Sequence, residues 1–205
     1  MSADEYLTLA EPGHAQTRVL GSRFLGHAFA AANVEDLNAS LEVDRKQCHD
    51  ATHWCFAARF GVAPFVLERS SDAGEPKGTA GVPILQQIQN HDLTDCAIIV
   101  TRYFGGTKLG TGNLARAYAE CAALALQDAT TIQRKLLRPM LIECSFDLQS
   151  LVYHIAGRFE ASVQPMPSLA HAMFQLNPPR SQFAALSAAL IEESRGRIEI
   201  RDPSQ

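Results

Sequence analysis

The sequence predicts an α+β protein of two domains, with the domain boundary after residue 133. Strand-like runs alternate with helical patterns as far as residue 128. A polar and basic connection follows over residues 130–138, where few apolar side chains could anchor the chain. Beyond it, strands and helices follow in an order typical of a small antiparallel sheet covered on one face by two helices. We therefore expect domains at 1–133 and 134–205.

The elements of the first domain are predicted from hydrophobic spacing and turn residues. We expect the first dozen residues to be loosely packed. Asn33 is a candidate helix N-cap because its side-chain oxygen can accept a hydrogen bond from the first turn. In chain order we predict a strand over 18–29 with a bulge at Gly21 or Gly26, a helix from Asn33 to Cys48, a strand over 52–60, its hairpin partner over 64–68, a helix over 82–90, a strand over 95–100, and a helix capped by Thr111 or Asn113 that ends near Asp128.

The second domain shows two strand-helix-strand halves in succession. Strands are predicted at 139–147, 161–166, 169–176 and 197–201, and helices at 148–159 and 181–194. This order predicts a ferredoxin-like arrangement. The sequence of this half contains no cluster of glycines or of metal-ligand residues, so it points to no chemistry there.

The composition is that of a globular protein without a membrane span. Of its 205 residues, 46% are hydrophobic and 20% are charged, and no apolar run approaches the length of about eighteen residues that a membrane helix needs. The first residues are acidic and polar, so we expect no signal peptide and a cytoplasmic location. The formal net charge of −4 argues against a protein that coats nucleic acid through bulk electrostatics. A nucleic-acid contact would require a local basic patch.

The most informative stretch is residues 100–118, where an apolar strand enters a glycine-rich turn and then an amphipathic helix. Such a turn leaves backbone N–H groups at the positive end of the helix dipole, which favours an anion. Three cations surround this end, and we expect the charged ends of Arg102 and Lys108 to lie in solvent. Two interpretations remain open: an anion site, or a tight turn whose glycines only allow packing. The spacing matches neither common phosphate-binding fingerprint.

A second glycine-rich stretch, residues 71–85, precedes the next predicted helix. Three glycines allow unusual backbone angles there, and Pro76 fixes the backbone, so we expect a shaped loop. The loop presents Asp72, Glu75 and Lys77.

Residues 48–55 contain several side chains of metal-ligand type, but the sequence offers no second ligand pair further along the chain. We therefore predict no metal and no cofactor. His53 is kept as a candidate at the edge of the site. The five cysteines are odd in number and widely spaced, with no Cys-x-x-Cys, as expected for reduced core thiols.

These stretches together resemble a known family. Ser-Asp-Ala-Gly-Glu-Pro at 71–76 and Gly-Thr-Ala-Gly-Val-Pro at 78–83, followed by Arg-Tyr-Phe-Gly-Gly at 102–106 and Lys-Leu-Gly-Thr-Gly at 108–112, are similar to the signature of the IMPACT/YigZ family. The shorter segment 50–55 resembles an upstream motif of that family. The chain departs from the pattern at Asn113, where a glycine is expected, but asparagine tolerates left-handed geometry better than most residues. The resemblance covers essentially the whole chain and indicates a bacterial YigZ-like member.

The resemblance implies a fold and a cellular role. It implies an amino-terminal domain like the second domain of ribosomal small-subunit protein five, followed by a ferredoxin-like domain. That pair is similar to the fourth and fifth domains of elongation factor G. Eukaryotic members of the family regulate translation through a protein partner, but they carry a separate amino-terminal interaction domain that is not in this sequence. The resemblance therefore implies a looser role in translation, with RNA or the ribosome as partner, and a protein partner in translational control as a further candidate.

Two function classes follow from these residues. The first is a non-catalytic binding protein that holds phosphates of RNA, with Tyr103 or Phe104 available to stack a base. The second is an enzyme for a small phosphorylated or carboxylated substrate, with Asp72 or Glu75 as acid, base or magnesium ligand and Lys77 and Lys108 as charge stabilisers. The candidate ligand-binding residues are Arg102, Tyr103, Gly105, Gly106, Lys108, Gly110, Thr111, Gly112, Asn113 and Arg116. The candidates at the site edge are His53, Asp72, Glu75, Lys77 and Thr79.

Overall fold

The computed structural model describes residues 4–201, which form two compact units. The larger unit spans Tyr6–Arg134, and the smaller unit contains residues 4–5 and 135–201 of the described chain. None of the helices within 4–201 is both long and apolar enough to cross a membrane.

The larger unit is built on a five-stranded antiparallel sheet. Its elements in chain order are β1 (Glu5–Glu11), β2 (Gly13–Val19), β3 (Ser22–Ala30), α1 (Val34–Gln47), β4 (His53–Phe60), β5 (Leu67–Ser71), α2 (Gly81–Asn90), β6 (Cys96–Tyr103), α3 (Thr111–Asp128) and β7 (Thr130–Lys135). The strand order in the sheet is β2-β3-β6-β4-β5, and β1 pairs with β7 in a separate two-stranded sheet. All neighbours in the five-stranded sheet are antiparallel.

The central strand β6 is buried on both faces, which explains its continuous apolar run. Ile98 and Val100 belong to the core cluster that contains α2 and α3 residues, and Ala97 and Ile99 belong to the cluster under α1. Successive side chains of a strand point to opposite faces. The same alternation sends the side chains at the end of β6 to opposite faces of the sheet.

The hairpin between β2 and β3 replaces the single bulged strand predicted for 18–29. Leu20 and Gly21 have φ values of 45° and 81° and form the turn between the strands. Two consecutive residues with positive φ give the twist that favours a tight hairpin. Leucine is an unusual residue in this conformation, so the sequence carried little signal for the turn.

Two further expectations are wrong. The first dozen residues, where they are described, are not loose: β1 and the start of β2 lie there, and Thr8 and Leu9 are buried. The connection predicted over 130–138 contains the strand β7, whose six residues are all exposed but are held by pairing with β1. The hydrogen bonds that order these strands come from distant parts of the chain, since β1 and β7 pair with each other and the Leu7 carbonyl oxygen of β1 accepts the Thr94 N–H at 3.0 Å.

The remaining predictions for the larger unit hold, with shifts at the ends. Asn33 caps α1, since its side-chain oxygen accepts the Asp36 N–H at 2.9 Å. The hairpin partner of β4 is β5, which starts at Leu67 and lies mostly beyond the predicted 64–68. Helix α3 ends at Asp128 as predicted, but its N-cap is Gly110 and neither Thr111 nor Asn113.

The smaller unit contains the predicted succession of elements. These are β8 (Met140–Cys144), α4 (Gln149–Arg158), β9 (Ser162–Met166), β10 (Ala172–Asn177), α5 (Phe183–Glu193) and β11 (Glu199–Arg201). The sheet order is β11-β8-β10-β9, with antiparallel neighbours. Alternate strand residues such as Met140 and Ile142 pack with Val152 of α4 and Leu186 of α5 in one core. Both helices therefore cover the same face of the sheet.

The loop between β5 and α2 is shaped by the Asp72 carboxylate. One oxygen accepts the N–H groups of Ala80 and Gly81, both at 2.9 Å, and the other accepts the Gly78 N–H at 2.8 Å. Desolvation by itself would raise the pKa of Asp72, but these three backbone donors together hold the pKa below its ordinary value. Asp72 therefore closes the loop and caps the start of α2.

The glycine turn after β6 contains three different uses of glycine. A Cβ on Gly105 would lie 2.0 Å from the carbonyl carbon of Gly21, so the two backbones touch. Gly106 and Gly110 have φ values of 85° and 76°, a conformation that other residues adopt at a cost. Gly112 lies inside α3 without a positive φ, and a Cβ there would meet only the Arg116 side chain at 3.8 Å. Gly112 therefore serves no unusual backbone angle.

The first prediction separates these uses of glycine. Gly105→Ala should lower the free energy of unfolding by about 1–3 kcal/mol, because the new methyl group overpacks against backbone atoms that must shift. Gly112→Ala is the matched control and should be neutral or stabilising by up to about 1 kcal/mol, since alanine is the better helix former. Urea unfolding of both variants measures the difference. Equal stability of the two variants would contradict the close approach at Gly105.

The second prediction concerns the Asp72 cap. Asp72→Asn should lower the free energy of unfolding by about 1 kcal/mol at neutral pH, because an amide cannot accept all three N–H groups. The folded-state pKa lies below the unfolded-state value, so the contribution is present above the unfolded pKa and is lost as pH falls through the folded pKa. Thermal melts of the variant and the wild type should therefore converge in acid. Glu42→Gln, which removes a charge from an exposed position on α1, is the control. A stability difference between Asp72→Asn and the wild type that does not change with pH would contradict the linkage.

Candidate functional site

Both glycine-rich stretches contribute to one cavity of about 470 Å³ in the larger unit. Helix α2 follows one stretch and helix α3 follows the other, and the two helices pack together on the same side of the sheet. The end of β6 and the start of β4 complete the walls. The lining residues are Thr52, His53, Glu75, Pro76, Arg102, Phe104, Lys108, Leu109, Gly110, Thr111 and Leu114.

A buried ion pair lies in the wall of this cavity. Arg102 Nη1 donates to Glu75 Oε1 at 2.6 Å, and both side chains are almost fully buried. The Tyr118 hydroxyl donates to the same oxygen at 2.8 Å. Arg102 Nη2 donates to the Ser22 hydroxyl at 3.1 Å. The carboxylate and the guanidinium therefore join the 71–80 loop, β6, α3 and the start of β3.

The expectation that the charged end of Arg102 lies in solvent is wrong. The residue is 5% exposed because it belongs to β6 and shares the face of Val100, toward α2 and α3. Its guanidinium lies 5.4 Å from the ring of Phe24 and 5.5 Å from the ring of Phe104, in the range of cation–π contacts. Its Nε has no hydrogen-bond partner within residues 4–201.

His53 lies beside the pair with one ring nitrogen committed. Its Nδ1 lies 2.8 Å from the Ala73 carbonyl oxygen, which can only accept, so this nitrogen carries the proton. The other nitrogen, Nε2, is 3.8 Å from Glu75 Oε1. The ring is thereby oriented with Nε2 toward the carboxylate at the cavity wall.

Cys55 is linked through Tyr118 to the hydrogen bonds around Glu75, but its thiol is not a nucleophile at neutral pH. Its sulfur lies 3.3 Å from the Tyr118 hydroxyl and 3.0 Å from the Asp72 carbonyl oxygen. Burial raises the pKa of the Cys55 thiol to about 12 and that of the Tyr118 hydroxyl as well. Both groups are therefore protonated at neutral pH and act as hydrogen-bonding parts of the fold.

The opposite rim of the cavity is formed by the start of α3. Lys108 is exposed there, as predicted, and Gly110 and Thr111 bring the first turn of the helix to the rim. Gly110 has no side chain to cap the helix, and the first turn carries no acidic residue. The backbone N–H groups of this turn therefore give the rim a partial positive charge.

Two predicted ligand-binding residues, Asn113 and Arg116, make hydrogen bonds within α3 and the turn before it. The Asn113 amide donates to the Leu109 carbonyl oxygen at 3.0 Å, and Arg116 Nη2 donates to the Asn113 side-chain oxygen at 3.0 Å. Gly105, Gly106, Gly112, Asn113 and Arg116 are near the cavity in sequence, but none of them lines it.

Of the candidate residues in the 71–80 loop, one lines the cavity and the others do not. Glu75 lines the cavity, whereas Asp72 is engaged by three backbone N–H groups. Thr79 is buried and donates to the Pro76 carbonyl oxygen at 2.7 Å. Lys77 is exposed and does not line the cavity.

Tyr103 lies on the other face of the sheet from Arg102, because it is the next residue of β6. Its hydroxyl donates to Asp50 Oδ1 at 3.1 Å, and the Arg23 guanidinium carbon lies 4.2 Å from the centre of its ring. Tyr103 therefore lines a different cavity from the one that contains Arg102.

Sequence reasoning missed Ser22 and Tyr118 as partners of the ion pair. Tyr118 occupies the apolar face of α3, and a tyrosine on such a face carries a hydroxyl that needs a partner when buried. That rule was a usable signal for Tyr118. Ser22 lies next to a turn that was not foreseen, so no local signal identified it.

Metal-binding and thiol chemistry find no support in these contacts. Within 4–201, no group of three or more histidine, cysteine, aspartate or glutamate side chains is arranged to hold a metal ion. All five cysteines are free thiols, and every one except Cys48 is buried.

Comparison with known proteins gives a consistent set of relatives. The model of the Impact N-terminal domain matches residues 20–126. The IMPACT family member YvyE of Bacillus subtilis is 28% identical over 197 residues, which cover 96% of this chain and 90% of that protein. An IMPACT family member in the pol 5′ region of Thermus thermophilus is 35% identical over 179 residues, which cover 86% of this chain and 96% of that protein. A crystal structure of a hypothetical protein is similar with a TM-score of 0.71 at 30% identity, and the similarity covers 96% of both chains.

The matched domain contains the whole lining of the cavity and more than half of the chain. The similarity to YvyE and to the solved structure extends across both compact units. The protein therefore belongs to the IMPACT family.

Proposed function

We propose that this protein is a non-catalytic RNA-binding protein linked to translation, and that it holds a phosphate of RNA at the start of α3. The observation that carries the proposal is the rim of the cavity, where exposed Lys108 and the first turn of α3 meet without an acidic residue in that turn. A helix N-terminus beside a lysine is a favourable place for a phosphate.

The buried pair supports an anion at this rim. Glu75 is the acidic residue of the lining, and its charge is balanced by Arg102 at 2.6 Å. Glu75 therefore does not neutralise the positive charge of Lys108 or the partial positive charge at the start of α3. The formal charge of the cavity lining, with His53 neutral, is therefore positive, which favours a phosphate.

The shape of the cavity suits a nucleotide. Its volume of about 470 Å³ falls within the range of small-molecule sites. Phe104 is 47% exposed and lines the cavity, so its ring is available to stack a base. Leu109 and Leu114 supply apolar contacts beside it. Stacking and phosphate contacts together are the usual basis of binding to single-stranded RNA.

The link to translation comes from the family and from fold analogy. Eukaryotic IMPACT proteins regulate translation, and we propose that the larger unit resembles the second domain of ribosomal small-subunit protein five. We propose a ferredoxin-like fold for the smaller unit, which is supported by the sheet order β11-β8-β10-β9 with two helices on one face. The ribosome is then the expected source of the RNA, and a protein partner in translational control remains a further proposal.

The alternative, an enzyme for a small phosphorylated or carboxylated substrate, has less support. Its proposed acid or base groups are already engaged: Asp72 by backbone N–H groups, and Glu75 by Arg102 and Tyr118. Lys77 lies outside the lining. His53 is the lining residue that favours this alternative, because its Nε2 is directed to the cavity wall.

The third prediction tests the phosphate contact. Lys108→Glu should change the free energy of unfolding by no more than about 0.5 kcal/mol, because Lys108 is exposed. It should weaken binding of single-stranded ribosomal RNA fragments and lower the slope of log affinity against log salt by about one unit. Salt titrations by fluorescence anisotropy, beside thermal melts, measure both effects.

Lys77→Glu is the matched control, since it reverses the same charge in the neighbouring loop outside the lining. It should leave the salt slope unchanged. A folded Lys108→Glu protein that binds RNA as tightly as the wild type would remove the phosphate site from α3. Arg102→Glu is unsuitable for this test, because placing a second buried carboxylate beside Glu75 should cost several kcal/mol of stability, about 3–5 kcal/mol or more.

A further inference from the structure

A second cavity, of about 450 Å³, adjoins the glycine turn in the same unit. It is lined by Arg18, Leu20, Gly21, Arg23 and Tyr103. It lies at the end of the sheet where the β2–β3 hairpin meets the end of β6, since Arg23 pairs with Tyr103 in the sheet register. The proposed site at the start of α3 does not use any of these residues.

The side chains of this cavity are arranged for an anion with an aromatic group. The Arg23 guanidinium lies 4.2 Å from the centre of the Tyr103 ring, and the Tyr103 hydroxyl is tied to Asp50 at 3.1 Å. These two contacts hold the ring and the guanidinium in place. No salt bridge within residues 4–201 engages Arg18 or Arg23, whereas Arg59 of the same sheet pairs with Glu68. Neither cation is paired with a carboxylate of the described chain, so both are available to an anionic ligand.

The two cavities open at the same end of the sheet but on opposite faces. Arg102 and Tyr103 are consecutive in β6, and the first lines one cavity while the second lines the other. Ser22 ties the two regions together, because its hydroxyl accepts from Arg102 Nη2 at 3.1 Å and from the Gly105 N–H at 3.2 Å. A ligand that occupied both cavities would have to pass around the exposed glycine turn, residues 104–108.

We infer that the Arg18–Arg23–Tyr103 cavity is a second nucleotide subsite for a single RNA strand that passes around the glycine turn from the cavity at α3. This inference rests on the proposed function. A base stacks on the guanidinium of Arg23, which is backed by the ring of Tyr103, and Arg18 contacts a phosphate. Leu20 is 59% exposed at the tip of the hairpin and offers an apolar contact to the base or ribose.

The position of the two cavities on opposite faces of the sheet restricts the class of ligand that can occupy both. A mononucleotide cannot reach both cavities, because the sheet separates their side chains. An extended single strand can bend around the turn, and the glycines there present backbone without side chains to obstruct it. A base-paired helix is too wide and stiff to follow such a path. The ligand is therefore a flexible single strand of several nucleotides.

The test compares a short ligand with a long one. Adenosine 5′-monophosphate and a fluorescent single-stranded RNA hexanucleotide are titrated into the wild type and into an Arg18→Gln/Arg23→Gln variant. The double variant should lose about tenfold or more in affinity for the hexanucleotide, the expected loss for one stacked base and its phosphate contacts. Its affinity for the mononucleotide should be unchanged. Lys108→Glu should weaken both ligands.

Control variants keep the test independent of folding. Arg69→Gln removes an exposed arginine from β5, at the opposite edge of the sheet, and should bind the hexanucleotide like the wild type. Tyr103→Leu removes the ring behind Arg23 and should weaken the hexanucleotide alone. If the double variant melts early, Arg18→Gln by itself carries the test, because Arg18 is exposed on the hairpin.

The outcomes separate this inference from the proposed function. If the folded double variant binds the hexanucleotide like the wild type while Lys108→Glu weakens it, the second subsite is wrong and the phosphate site at α3 stands. Equal losses for the mononucleotide and the hexanucleotide in the double variant would also overturn the second subsite, since they would indicate one shared site. If the wild type binds neither ligand, both proposals fail.

Discussion

The buried ion pair between Glu75 and Arg102 is the interaction on which the site depends. Two charges removed from water lose hydration free energy, and the pair recovers this only with good geometry and further hydrogen bonds. Here the geometry is a 2.6 Å contact, and Tyr118 and Ser22 supply the further bonds. Removing one partner would leave a buried charge without compensation, so the pair constrains four segments of the chain at once.

That constraint explains the order of the 71–80 loop. Residues 72–80 have no regular secondary structure, yet Asp72 closes the loop against the start of α2 and Glu75 anchors it to β6. A loop held at two points by charged groups presents a fixed wall to the cavity, and its entropy has been lost during folding instead of during binding. Asp72 and Glu75 therefore act mainly by holding this wall in place.

The alternation of side chains in β6 distributes the functions of its last residues. Arg102 turns toward the helices and joins the core, and Tyr103 turns to the opposite face, beside Arg23. A shift of one residue in the register of β6 would exchange these two environments. The glycine turn then carries the chain away from both, with Gly105 pressed against Gly21. The two proposed RNA subsites, at the start of α3 and beside Arg23, follow from this geometry. They lie on opposite faces of the sheet, and the exposed turn is the route by which one strand could reach both.

The sequence alone determined the α+β class, most helices and strands, and the segments that build the cavity. Hydrophobic spacing is a local property, so α1, β4, β6 and α3 were predicted within a few residues of their observed ends. Glycine and proline clusters marked the two loops for the same reason. The β2–β3 turn was missed because Leu20 adopts a positive φ against its own preference, and β1 and β7 were missed because each is ordered by the other.

Only the tertiary structure decided which charges are buried. Arg102 and Lys108 are similar in sequence context, six residues apart beside the same turn, yet one is paired in the core and the other is exposed. Glu75, 27 positions before Arg102, and Tyr118, 43 positions after Glu75, meet at one carboxylate oxygen. The sequence pattern does not encode this meeting locally, because it results from packing α2 and α3 against one face of β6. Burial and ion pairing are properties of that packing, and they assigned Arg102 to the fold and left Lys108 exposed.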